Sequence, residues 1–121
     1  MDKIQKPKIY DLEERTFEFA RNCRYFIKKL PKTICNREDA SQLARSSGSI
    51  GANYIEANEA ISKKDFAHRI KISRKESKES RFWLRLVDTD MVINLDKERD
   101  KLIDEAVELM KILSSIMRKS E

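Results

Sequence analysis

The sequence predicts an all-α protein, an antiparallel up-down-up-down bundle of four helices joined by short loops. The 121 residues include only two glycines and two prolines, whereas turn-rich β architectures need many more. Apolar residues recur at helical spacing in four segments, and capping residues, a proline or short polar loops bound each segment. We expect residues 1–10 to form a flexible N-terminal lead and residues 11–119 to form a single domain.

The first predicted helix begins after Asp11, which can cap it, with Glu14 three residues on. Pro31 ends it, because proline cannot continue a helix. Between these limits the core-facing positions follow the helical period: Leu12, Thr16, Phe19, Ala20, Cys23, Phe26, Ile27 and Leu30.

The second predicted helix, capped by Asn36 with Asp39, runs to about Ala60 and is unusually poor in charge. From residue 40 to residue 55 the only charged side chain is Arg45, and both glycines of the protein lie in this stretch. Glycine inside a helix costs about 1 kcal/mol relative to alanine, so we expect a neighbouring backbone to approach closely. A helix with so few charges should be buried on more than one side, which indicates self-association.

The third predicted helix is capped by Ser62 with Asp65, runs to about Thr89 and packs on the second as an antiparallel hairpin. Residues 62–87 carry nine basic and three acidic side chains, a charge of +6 against +5 for the whole chain. Seven of the basic residues share about one third of the helix circumference, an arc that we call the basic stripe. Its members are Lys64, Lys71, Arg74, Lys75, Lys78, Arg81 and Arg85.

Two further sets of residues have alternative interpretations. Ile72, Trp83 and Leu86 form a second apolar stripe on the third helix, either a subunit contact or a widened core face. Polar residues in and beside the uncharged stretch, among them Glu56, are either ligand contacts or interface residues that a neighbouring subunit or internal hydrogen bonds satisfy. The predicted subunit interface comprises Arg45, Gly48, Gly51, Asn53, Ile72, Trp83 and Leu86.

The fourth predicted helix is capped by Asp96, and six basic and seven acidic residues from there to Glu121 indicate an ordinary solvated outer face. Its apolar residues have near-heptad spacing: Leu102, Ile103, Ala106, Leu109, Met110, Leu113, Ile116 and Met117.

Catalysis, metal binding and cofactor binding are not indicated. His68 is the only histidine and is expected to be solvated, and Glu56 with Glu59 lacks the histidine of a di-metal motif. Cys23 and Cys35 are too few for a disulfide framework or a zinc site. No apolar run is long enough to span a membrane, and the start of the chain lacks an apolar signal region, so we expect a cytoplasmic protein.

The middle of the chain resembles a bacterial family of four-helix-bundle proteins, the 23S rRNA intervening-sequence proteins. The resemblance covers roughly residues 9 to 115 and is carried by Leu12-Glu13, Gln42-Leu43, Arg45-Ser46-Ser47, Ser49-Ile50, Asn53-Tyr54-Ile55-Glu56-Ala57, Phe66, Lys75-Glu76 and Lys78-Glu79-Ser80. It implies a four-helix bundle that assembles into a ring, a homopentamer. A related protein is the accessory variability determinant of diversity-generating retroelements, which implies, by analogy, a reverse transcriptase and nucleic acid as partners.

Two functions remain open from the sequence. In the first, an oligomer binds RNA or DNA phosphates through the basic stripe, and Phe82 within it either stacks on a base or fills a subunit joint with Trp83. In the second, the protein is an interaction scaffold with no nucleic-acid role, and its basic stripe pairs with acids of a neighbouring subunit or partner protein.

Overall fold

A computed structural model of the chain describes residues 11–120, in which four helices form an antiparallel bundle. The predicted lead at residues 1–10 lies outside the described residues. The four helices are α1 Leu12–Lys29, α2 Ile34–Asn58, α3 Lys63–Leu86 and α4 Ile93–Lys119. Helices that follow one another in the chain pack against each other, and α1 also packs against α4, which closes the bundle. The predicted fold class is confirmed.

The helix ends follow the predicted capping chemistry at one helix and depart from it at the others. The backbone N–H of Asp65 donates to Ser62 Oγ at 3.0 Å, as predicted for α3. Asp11 occupies the N-cap position of α1, but its side chain makes no capping hydrogen bond. The predicted Asn36 and Asp96 caps are wrong, because α2 and α4 each begin before these residues. Thr33 caps α2 instead, accepting from the Asn36 backbone N–H.

The core is one cluster of aliphatic and aromatic side chains contributed by all four helices. Its fully buried members include Phe19 and Phe26 of α1, Ile50 of α2, Leu84 of α3 and Leu109 of α4. Phe19 and Phe26 of α1 and Leu109 of α4 lie at the helical spacing from which the sequence predicted apolar positions in these two helices.

The seam between α2 and α3 is made of small polar side chains. The Oγ atoms of Ser46 and Ser80 lie 2.9 Å apart, and the hydroxyl of Ser73 donates to the Ile50 carbonyl at 2.7 Å. All three serines are fully buried, and each hydroxyl has a partner, so their burial leaves no polar group unsatisfied. Small side chains let two helices approach closely, and this seam holds α3 firmly against α2.

The glycines of α2 face α1. A methyl group at Gly51 would lie 2.7 Å from Thr16 Oγ1 and 3.2 Å from Thr16 Cβ, inside van der Waals contact. At Gly48 it would lie 3.3 Å from an Arg24 guanidinium nitrogen, the flexible end of an exposed side chain. A close approach that compensates a glycine therefore occurs within one chain, at Gly51, where α2 passes Thr16 of α1.

Two ion pairs bridge α1 and α4. Arg15 donates from Nε and Nη2 to the two carboxylate oxygens of Glu105 at 2.7 and 2.9 Å, and this hydrogen bonding raises the pKa of the guanidinium. Lys29 Nζ donates to Glu98 at 2.8 Å. Charged side chains thus join α1 to α4 at two points along the seam.

At one end of the bundle, the buried side chain of Asn36 connects two loops. Asn36 Nδ2 donates to the carbonyls of Pro31 and Asp88, and Asn36 Oδ1 accepts from the Asp88 backbone N–H. The α1–α2 and α3–α4 loops are therefore joined by three hydrogen bonds from one amide. Next to this junction, Asp90 and Met91 both have positive φ angles, 58° and 60°. Residues other than glycine rarely adopt this left-handed backbone conformation, so the loop is strained.

Candidate nucleic-acid interface

The basic stripe lies on the outward face of α3, between the seams with α2 and α4. Six of its seven side chains are exposed. Arg74 is half-buried, and its Nε is covered without a hydrogen-bond partner within residues 11–120. The helix of 24 residues is about 36 Å long, so the stripe presents cations along most of one side of the bundle.

Two of the three acids of α3, Glu76 and Glu79, bind Arg45 of α2 on the face adjacent to the stripe. Its guanidinium donates to both carboxylate oxygens of Glu76 at 3.2 and 3.3 Å and to Glu79 at 2.9 Å. The hydrogen bond to Glu76 raises the pKa of Arg45. Within residues 11–120, none of the seven stripe residues forms an ion pair. The positive charge of the stripe is therefore available to an external anion.

The predicted interface residues of α2 have partners inside the chain. Arg45 binds the two glutamates just described. Asn53 Nδ2 donates to the Ser49 carbonyl and Oγ at 2.9 Å, and its Oδ1 accepts from Arg69 of α3 at 3.1 Å. These polar groups are satisfied without a neighbouring subunit, and their role in a subunit interface stays a prediction.

The predicted second apolar stripe of α3 is divided by the structure. Ile72 is half-buried, Trp83 is half-buried and packs against the core, and Leu86 is exposed. The indole N–H of Trp83 is covered and has no hydrogen-bond partner in the described part of the chain. Trp83 thus belongs mainly to a widened core face, while Leu86 remains available at the surface.

Phe82 lies within the basic stripe with its ring held by Trp83. The two ring centroids are 4.9 Å apart and the planes meet at 82°, an edge-to-face contact. Phe82 nevertheless remains 53% exposed. The stripe therefore presents an oriented aromatic ring among its cations.

The cysteines and the histidine show no arrangement for chemistry. Cys23 is buried, and burial raises the pKa of its thiol to about 12, against smaller opposing effects of Ser47 and Arg24. Cys35 and His68 are exposed and far apart in sequence. Residues 11–120 contain no cluster of three side chains able to hold a metal ion. None of the helices that these residues form has the length and apolarity needed to cross a membrane.

Comparison with known proteins identifies the family. A family model described as 23S rRNA-intervening sequence protein matches residues 9–115. The chain belongs to the 23S rRNA-intervening sequence protein family. The resemblance carried by the α2 and α3 motifs is therefore confirmed.

The structure of this intervening-sequence protein is similar to a solved one. That structure is a 1.70 Å crystal structure of a protein with unknown function from the S23 ribosomal protein family of Bacteroides thetaiotaomicron. The two chains are 28% identical, the TM-score is 0.74, and the match covers 93% of this chain and 99% of that one. A comparison with curated proteins gave no match. Neither the family description nor that of the neighbour names an enzymatic activity.

Sequence reasoning missed two surface features of this family member. A groove of about 430 Å³ runs between α1 and α2, and its apolar lining comes from Phe17, Ala20, Gly48, Gly51, Ala52 and Ile55. A second set of exposed apolar side chains, which we call the apolar corner, lies in and beside the α3–α4 loop: Leu86, Met91, Val92 and Ile93. Phe17 falls outside the core-facing spacing of α1, which was a signal for surface exposure. The corner had no such signal, because α4 was expected to begin later.

Proposed function

We propose that this protein is a non-enzymatic, self-associating protein of the bacterial cytoplasm that binds RNA or DNA through the basic stripe of α3. The observation that supports this most strongly is the separation of charge on α3. Seven cations share the outward face, while Arg45 binds the two acids of the helix interior on a neighbouring face. A stripe with unpaired cations attracts polyanions, and lysine or arginine contacts to phosphate gain free energy by releasing condensed counterions.

Self-association would strengthen these contacts. One stripe makes few phosphate contacts, and an assembly that presents several copies to one strand gains avidity. The groove between α1 and α2 supports self-association, since Phe17 and Ile55 are exposed apolar side chains among the residues that line it. α1 packs on α2 and α4 while the stripe lies on α3, so a second copy at the groove leaves the stripe accessible. By the family resemblance, we propose a homopentamer.

The test compares two triple variants with the same loss of charge. Lys71, Lys75 and Lys78 are exposed on the stripe, and Lys97, Lys101 and Lys119 are exposed on α4. None of the six forms an ion pair within residues 11–120. Replacing each set with glutamine lowers the net charge by three, and fluorescence anisotropy with labelled RNA at several salt concentrations measures the affinity.

We expect the stripe variant to lose affinity and the α4 variant to remain close to wild type. Each lost phosphate contact should lower the slope of log affinity against log salt by about 0.7 for single strands and about 0.9 for duplex. Equal losses in both variants, or binding that does not respond to salt, would contradict the proposal.

An interaction scaffold is the alternative function, and charge reversal distinguishes it. Replacing Lys71, Lys75 and Lys78 with glutamate should abolish RNA binding and leave the mass in solution unchanged if the stripe binds phosphate. A fall in mass would instead indicate that the stripe pairs with acids of a neighbouring subunit.

A further inference from the structure

Phe82 differs from the other large aromatic side chains exposed on the bundle. Phe17 and Tyr25 on α1 are each covered by a cation, since Arg21 lies 5.1 Å from the ring centroid of Phe17 and Lys28 lies 5.9 Å from that of Tyr25. Within residues 11–120, no cation lies over the ring of Phe82. The ring is open although basic side chains precede and follow it in the sequence.

The ring of Phe82 is restrained by a neighbouring side chain and is also exposed to solvent. The edge-to-face contact with Trp83 restrains the ring, and Trp83 is itself packed against the core. An exposed phenylalanine leaves apolar surface in water, which is unfavourable, and the fold does not use the exposed part of this ring. A restrained aromatic face among cations is the arrangement that proteins use to stack nucleic-acid bases.

Phosphate contacts are available on both sides of such a stacked base. Lys78 lies one turn before Phe82, about 6 Å along the helix axis, and Lys75 lies about 10 Å away. Arg85 follows Phe82 by three residues and is exposed. A strand along α3 could therefore place one base on the ring and its flanking phosphates on these cations.

We propose that Phe82 is the stacking surface for an unpaired base, so that the basic stripe takes single-stranded nucleic acid in preference to duplex. In a duplex both faces of each base are occupied by neighbouring bases, and only an unpaired base can offer a face to a protein side chain. This inference rests on the proposed function and adds the class of nucleic acid to it.

The experiment compares Phe82→Ala with Phe82→Tyr, which keeps an aromatic ring. Tyr25→Ala is the matched control, because Tyr25 is exposed to a similar extent, 49%, on α1 and does not line the groove between α1 and α2. The probes are a labelled single-stranded oligonucleotide, its duplex and an abasic strand of equal length, each measured by anisotropy at one salt concentration. Circular dichroism checks folding, and light scattering checks the mass of each variant.

We expect wild type to bind the single strand more tightly than the duplex or the abasic strand. Phe82→Ala should lower single-strand affinity roughly 5-fold or more and leave abasic binding unchanged, while Phe82→Tyr and Tyr25→Ala stay near wild type. Trp83 is the only tryptophan of the chain and contacts Phe82. Its fluorescence should therefore change when the single strand binds and remain unaltered with the abasic strand.

Three outcomes would overturn the inference. If Phe82→Ala binds every probe as wild type does, the stripe binds phosphates alone, and the proposed function stands without the stacking. If Phe82→Ala lowers the mass in solution, Phe82 fills a subunit joint. If no probe binds wild type at low salt, the proposed function fails together with the inference.

Discussion

Thr16 and Gly51 show how a single side chain sets the distance between two helices. The Thr16 hydroxyl donates to the Leu12 carbonyl at 2.7 Å, which fixes its position on α1. The threonine is buried and rigid, so the backbone of α2 can pass it only where no Cβ is present. Gly48, one turn earlier, faces the guanidinium end of the exposed Arg24 side chain. Two glycines in one helix therefore have different structural roles.

This difference predicts opposite effects of the same substitution. Gly51→Ala should destabilise the protein by about 1–3 kcal/mol, because the new methyl group forces α1 and α2 apart. Gly48→Ala should be neutral or stabilise by up to about 1 kcal/mol, because alanine favours the helix and Arg24 can move. Urea denaturation at one fixed protein concentration measures both free energies of unfolding. Equal destabilisation by both substitutions would show that the two glycines are under the same constraint.

At the scale of the elements, Asn36 joins the ends of two helix pairs. Its amide makes three hydrogen bonds to the Pro31 carbonyl and to both backbone groups of Asp88. The sequence suggested an N-cap at this residue, because asparagine commonly caps helices. The amide instead forms hydrogen bonds with Asp88, which lies 52 residues away in the chain, and no local sequence pattern reveals such a partner.

Asn36→Ala should therefore cost more than the loss of a capping residue. The substitution leaves backbone groups of a partly buried junction without the partners they have in Asn36, and we expect a destabilisation of about 2 kcal/mol. Asn58→Ala is the matched control, because Asn58 is exposed and donates only once, to Glu13 at 3.3 Å, so its removal should cost less than about 0.5 kcal/mol. Thermal unfolding followed by circular dichroism compares the two, and similar melting temperatures would contradict the role of Asn36.

The helices and the basic stripe were predictable, since both depend on the angle between residues along one helix. The pairing of Arg45 with Glu76 and Glu79 beside the stripe was not predictable, because it depends on the register between α2 and α3. The orientation of Phe82 likewise depends on how Trp83 packs against the core. The exact ends of α2 and α4 were missed for a related reason: the caps depend on loop geometry as well as residue type.

At the scale of the whole molecule, the apolar groove and the basic stripe occupy different sides of the bundle. The groove lies between α1 and α2, and the stripe faces outward from α3. A molecule arranged in this way can associate through one side and present cations on another. The proposed association through the groove can therefore be tested with substitutions that leave every residue of the basic stripe in place.

We expect light scattering to give wild type a mass that is a multiple of the 14.3 kDa chain mass. Ile55→Glu places a charge in the groove, where the isoleucine is 46% exposed, and should lower that mass. Ile61→Glu makes the same change at a side chain that is 96% exposed in the α2–α3 loop, and should leave the mass unchanged. A monomeric wild type, or equal effects of the two substitutions, would contradict self-association through the groove.

The contrast between the two cysteines offers a handle for spectroscopy. Cys23 is buried and keeps its proton at neutral pH, whereas Cys35 is exposed near the start of α2. Thiol-directed reagents react with thiolates that they can reach, so the folded chain should take up one label, at a defined position. A maleimide dye or a nitroxide attached there gives one probe per chain without mutagenesis. Energy transfer or dipolar coupling between such probes would then report the distances between copies of the chain in an assembly and the number of copies it contains.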